Sequence, residues 1–134
     1  MSFLYLIFYG ALTLLTVLPA RALNFYVNNS PGMGDNRRSV QSAQNPATPF
    51  RTITHALRIA QLVSEGRPHV FNIPAGTYSP STGETFPLVI SQSRIYLSTS
   101  GVITFDGENE ASFFRITAPT SDFLIQGITF RNGL

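Results

Sequence analysis

The side chains able to do chemistry in this sequence are few and scattered. Asp106-Gly107-Glu108-Asn109-Glu110 is its one acidic cluster. Calcium takes about six to eight oxygen ligands, and three carboxylates on one turn supply part of such a shell. The run lacks the D-x-[DN]-x-[DN]-G spacing, so it reads as a solvated turn. Arg115 and Arg131 fall on outward strand positions. A guanidinium there can stabilise an enolate in a lyase, but that chemistry also needs a base beside it. No acid converges on either in the sequence pattern, so both read as exposed arginines. His55 and His69 lack Cys or carboxylate partners at ligand spacing and read as surface histidines. Gly32-Met33-Gly34-Asp35-Asn36-Arg37 begins like a dinucleotide loop, but Arg stands where the third Gly belongs and no helix follows at once. Asn28-Asn29-Ser30 is formally a glycosylation sequon, and Pro31 after it argues against its use. Neither G-x-S-x-G nor a P-loop is present. This reading assigns no catalytic, cofactor-binding or metal-ligating residue, and no cofactor.

The elements that must position these groups begin after a leader. Phe3 to Ala20 carries no charge and is followed by Ala20-Arg21-Ala22, small residues where a signal peptidase reads. That pattern predicts a signal peptide over 1–22, cleaved after Ala22. Met1-Ser2 supplies no Lys or Arg, and the apolar length sits near the roughly 18-residue minimum for a spanning helix, so an uncleaved anchor is the alternative. Residues 23–134 then form one small domain, expected to be secreted, periplasmic or at the cell surface. All nine basic residues are Arg; eight of them lie beyond Arg21 and face seven acids. Such a near-balance argues against a nucleic-acid partner and a basic membrane-surface role, both of which want clustered excess charge. With no Cys, an exported chain has no disulfide and no thiolate metal site, and packing and backbone hydrogen bonds must hold it.

Asn24 to Val27 reads as a short strand, and the polar, Gly- and Pro-rich stretch after it as a loop. From Phe50 to Val63 the pattern becomes helical. Ile53, Ala56, Leu57, Ala60 and Val63 recur at spacings of three and four, with Arg51, His55, Arg58 and Gln61 opposite. Thr52 suits the N-cap, Gly66 a left-handed C-terminal position, and Pro68 forbids continuation. Beyond it follow short β-like runs at 69–73, 86–90, 94–98, 102–105, 112–116, 122–126 and 128–130, each bounded by Gly, Pro, Asn, Asp or Ser. The gaps are too short for helical crossovers, which leaves a hairpin-built sandwich or a solenoid. Ile103-Thr104-Phe105 and Ile128-Thr129-Phe130 are 25 positions apart, each with Gly shortly before and after. A period in the twenties with strand, turn, strand, turn is what stacked β-coils require.

The order of several segments carries a resemblance. Phe25-Tyr26-Val27-Asn28, a Gly/Asp/Asn-rich loop, Pro49-Phe50-Arg51-Thr52-Ile53-Thr54-His55-Ala56-Leu57, Ile73-Pro74-Ala75-Gly76-Thr77-Tyr78 and Gly83-Glu84-Thr85-Phe86-Pro87-Leu88 follow one another. Together they resemble a bacterial domain of unknown function that opens many secreted right-handed parallel β-helix proteins of the pectin-lyase-like class. The resemblance covers essentially all of residues 23–134. It implies an all-β fold, the N-terminal coils of a parallel β-helix with one capping α-helix. It also implies stacked core positions at Ile95, Leu97, Ile103, Phe105, Phe114, Ile116, Phe123, Ile125, Ile128 and Phe130, with Pro74 and Pro87 at strand entries or edges.

Relatives of that architecture include polysaccharide lyases and pectin esterases. Phe50 to Leu57, Ala75 to Tyr78 and Ile128 to Asn132 are also similar to the opening of pectin methylesterases. The catalytic groups of those families sit on later coils. The resemblance therefore implies a non-catalytic capping and folding module of a carbohydrate-associated protein, with glycan or cell-surface partners met through later coils. The alternative is an inactive N-terminal fragment of a lyase or esterase. Nothing after Phe130 forms a cap, so the chain is expected to be truncated, and the open strand edge carries a risk of end-to-end self-association.

Overall fold

The computed structural model describes residues 21–63, 66–118 and 122–134. The signal peptide expected over 1–22 lies outside them, apart from Arg21 and Ala22. Among the described residues the chain forms β1 (Leu23–Tyr26), α1 (Ile53–Leu62), β2 (His69–Tyr78), β3 (Leu88–Ile90), β4 (Ile95–Asp106), β5 (Phe114–Ile116), β6 (Phe123–Ile125) and β7 (Ile128–Arg131). One sheet runs β1-β2-β4-β6, with β7 also on β4; the second is β3-β5. Every pairing between these strands is parallel.

Parallel strands cannot be joined by a tight hairpin, so each connection must cross over. Here the crossover from β2 to β4 contains β3, and that from β4 to β6 contains β5. The two sheets thus grow together, which makes a mostly-β, solenoid-like arrangement with one α-helix. Register follows the sequence repeat: Ile103, Thr104 and Phe105 lie against Ile128, Thr129 and Phe130. His69 pairs with Ile95, and Leu88 with Phe114, each 26 positions on.

In-register pairing puts like side chains over like. Phe25, Phe71, Leu97 and Ile125 form one inward row, in which the Phe25 and Phe71 rings stack with centroids 5.6 Å apart. Tyr78, Phe105 and Phe130 form another. Burial grades along these rows. Phe25, Phe71, Ile95, Leu97, Ile103 and Phe105 are buried, whereas Phe114, Phe123, Ile125 and Ile128 are half-buried. Two expected core positions are largely exposed, Ile116 at 49% and Phe130 at 44%. They belong to β5 and β7, over which no further strand stacks among the described residues.

The segments expected as strands at 94–98 and 102–105 are one strand, β4. At its middle the register against β2 shifts between Pro74 and Gly76, and Gly101 is left-handed at φ +86°. Gly127, before β7, is left-handed too, at φ +72°. The glycines of the repeat are therefore bends that redirect the chain between apolar runs, a conformation a Cβ disfavours. Pro87 directly precedes β3, as expected of a strand entry; Pro74 lies inside β2, at the register shift and two residues past the last β1 pair.

The helix has the expected face. Ile53, Ala56, Leu57 and Ala60 are buried, and Thr52 is the N-cap, its hydroxyl accepting from the His55 N–H at 3.1 Å. The helix is shorter than the sequence pattern, ending at Leu62, and Gly66 at φ +69° lies beyond it. The polar loop holds a short 3-10 turn, Ser42–Gln44, that buries Ala43 against β1.

A Cβ at Gly101 would sit 2.9 Å from that of Ala75 in a left-handed backbone. Gly101→Ala should therefore lower unfolding stability by about 1–3 kcal/mol, measured as a shift of the urea midpoint at unchanged slope.

Candidate functional site

The most tightly built polar site lies at the N-terminus of α1. The first amides of a helix have no intrahelical acceptor. Here Glu84, 31 positions on, supplies one. Its Oε1 accepts from the Ile53 N–H at 2.8 Å, and its Oε2 from the Thr54 N–H at 2.9 Å and the Thr54 hydroxyl at 2.6 Å. The Thr54 hydroxyl accepts in turn from the Thr85 N–H at 2.9 Å. Glu84 is only 4% exposed. Burial pushes its carboxyl above the usual range, and the Thr54 and Ile53 donors pull the other way. A short turn aims it: Ser79 and Thr82 cap the 3-10 turn Pro80–Thr82 reciprocally, and left-handed Gly83 ends it against Thr52. Glu84 is thus a structural clamp, and its reach across the fold was not visible in the spacing.

The loop before the helix is held in the same way. Asn36 accepts from the Arg51 N–H at 2.8 Å and the Thr52 N–H at 3.1 Å, and donates to the Thr52 hydroxyl at 3.0 Å. Asp35 is gripped by Arg37, whose Nη2 lies 2.8 Å from Oδ2. The hydrogen bonds from the Arg37 side chain and N–H hold the Asp35 carboxyl down at about 2. The Arg38 guanidinium donates to the Pro49 carbonyl at 2.9 Å.

Two sequence expectations need correction. An acid does converge on Arg131: its Nε lies 2.8 Å from Asp106 Oδ2, because β4 and β7 pair Asp106 with Arg131. Asp106 also accepts from the Glu108 N–H and the Asn132 amide, which with Arg131 keep its pKa below the ordinary value. This is a partly exposed strand-to-strand tie of the kind worth about 1 kcal/mol or less. Arg115 stays exposed on β5, with no ion pair among the described residues. The acidic run does not gather either: Glu108 turns away to accept from the Ser81 N–H at 3.3 Å. Among the described residues no three His, Cys, Asp or Glu side chains are grouped to hold a metal.

His69 is the second correction. It is 1% exposed, facing inward in the row Leu23, His69, Ile95 and Phe123. Its ring lies parallel to Phe25 at 5.9 Å. Nδ1 has Gln92 at 3.4 Å, whereas Nε2 is buried without a hydrogen-bond partner. Burial, then the charge of Arg67, pushes its pKa below 6.5. His55 is half-buried, edge-on to Phe50, and accepts from Arg58; burial and that charge lower it too.

Parallel in-register sheets and one helix clamped by a distant carboxylate define a β-strand-rich module. Residues 34–127 match the family described as Protein of unknown function (DUF1565), and the chain belongs to that family. Comparison with curated proteins gives no match, and neither does comparison with solved structures. The matched span contains the loop from Gly34 onward, α1, Glu84 and β2 to β6, so the clamp lies wholly within the family domain.

Glu84→Ala leaves two helix amides and the Thr54 hydroxyl without their acceptor, and a buried unsatisfied group costs about 1–3 kcal/mol. The urea midpoint should fall accordingly, with Glu84→Gln losing less because it keeps one acceptor oxygen. The histidines predict a pH dependence. A folded-state pKa below 6.5 means that the unfolded chain takes up the proton first as pH falls. The histidines' share of stability is therefore fully present above about 6.5 and declines below it, whereas the raised Glu84 carboxyl acts in the opposite sense as pH falls. Thermal melts from pH 8 to 5 should therefore show wild type losing stability relative to His69→Phe as pH drops below about 6.5.

Proposed function

We propose that this chain is the non-catalytic N-terminal capping and folding module of an exported right-handed parallel β-helix protein of the pectin-lyase-like class. In this reading residues 1–22 are removed as a signal peptide and residues 23–134 form the first coils. The protein is secreted, periplasmic or held at the cell surface. Its later coils carry the glycan or cell-surface partner. One observation carries the reading. The parallel ladders repeat in register, and their inward rows run from fully buried at β2 and β4 to half-exposed at β5, β6 and β7. An apolar row open at one side is a template for the next strand. Among the described residues no helix is long and apolar enough to cross a membrane.

The intact mass of the native product, taken from the medium and envelope of the source cells, tests this. The expected species begins near Leu23 and is much larger than residues 23–134. A species ending at Leu134 would overturn the assignment as an opening module. Incubating the chain with polygalacturonate and calcium should give no unsaturated product; its formation would turn the reading to a lyase.

A further inference from the structure

An open cleft of about 540 Å³ lies between the 32–38 loop and Arg51, lined by Gly32, Gly34, Asp35, Asn36 and three arginines, Arg37, Arg38 and Arg51. Three arginines line it, with Asp35 the one acidic residue among them. Arg37 is committed to Asp35 through three contacts, although its side chain is 91% exposed. Arg38 uses Nη1 on the Pro49 carbonyl, which leaves other N–H groups of its five-donor fork for a further acceptor. Arg51 is exposed, and its side chain has no partner among the described residues.

The fold does not let this charge spread. A Cβ on Gly34 would lie 2.0 Å from the Asn28 carbonyl oxygen and 2.6 Å from the Arg51 Cα, so the loop backbone is pressed against the segment carrying Arg51. Asn36 bonds both Arg51 and Thr52 and locks the approach. Arginines held together on a fixed frame present planar forks that fit an oxyanion with two oxygens.

We propose that this cleft binds the carboxylate or sulfate groups of an acidic oligosaccharide. The saccharide class rests on the carbohydrate-associated reading above; the need for an anion rests on the cleft alone. Arg51 and Arg38 supply the free N–H donors, and the Asp35–Arg37 pair bounds the site and rejects further negative charge on its own side.

The test is calorimetric titration of the chain with trigalacturonate, a sulfated oligosaccharide of similar length, a neutral maltooligosaccharide and inorganic sulfate. At least one acidic oligosaccharide should bind, weakening as salt rises, and the neutral sugar should not. A charge-assisted hydrogen bond contributes about 1.5–3 kcal/mol, so Arg51→Ala should weaken binding about tenfold or more. Arg51→Lys, which keeps charge but not the fork, should fall between. Both variants retain the Arg51 N–H bond to Asn36, and an unchanged melting temperature checks the fold. Unchanged affinity in Arg51→Ala and Arg38→Ala would overturn the cleft and leave the carbohydrate-associated reading standing. Equal binding of the neutral sugar would overturn the anion requirement. Binding of sulfate alone, or of nothing, would overturn the saccharide class, whatever the length of the native protein.

Discussion

Parallel, in-register stacking is the constraint on which the rest of this structure depends. In these parallel ladders inward residues lie over inward residues of the next strand, and a slip by one would turn each apolar row to solvent. The pairing of Ile103-Thr104-Phe105 with Ile128-Thr129-Phe130 satisfies it directly. So do the bends at Gly101 and Gly127, both left-handed, which let successive strands turn at the same level. The constraint also explains why His69 stands out. It occupies an inward row otherwise filled by Leu23, Ile95 and Phe123, and the flat contact with Phe25 accommodates its ring but not the hydrogen-bonding need of Nε2.

Stacking alone leaves the side of the sheets uncovered, and α1 meets that need. A ten-residue helix is marginal by itself, and this one is held at its start by Thr52, Asn36 and Glu84. Each comes from a different segment, and all three bind within two residues of the helix start. The Ile53 to Ala60 face then packs on β2 and β3. The polar network thus sets where the helix begins, and the apolar face sets what it covers.

That network has a consequence for function. Loops carry recognition when a rigid scaffold positions them, and the 32–38 loop is positioned by the same Asn36 that tethers the helix. The Asp106–Arg131 pair is of a different kind. It ties β4 to β7 at an exposed edge, and the Asp106 carboxylate is occupied by both Arg131 and Asn132. Fold does not fix function. The graded burial of the ladders, and Arg38 and Arg51 without an ion pair among the described residues of one cleft, carry the functional reading, not the shape of the sheets.

The sequence by itself determined the helix face, its N-cap and the two-copy strand repeat. These are local or periodic signals: three-and-four spacing for Ile53, Ala56, Leu57 and Ala60, and identical tripeptides at a fixed interval. It also determined the shared face of Ile and Phe in each copy of the repeat, because alternation along a strand assigns faces without knowledge of the partner; the wider set of stacked core positions came from the family resemblance. Only the tertiary structure decided the burial of His69, the reach of Glu84 to the helix, and the meeting of Asp106 with Arg131. Each of these depends on a register that brings residues 25 or more positions apart into contact, and no local pattern encodes that register for a polar side chain. The exposure of Ile116 and Phe130 was hidden for the same reason. An apolar residue is buried only if something stacks over it, and that is a property of the assembled sheet, not of the residue.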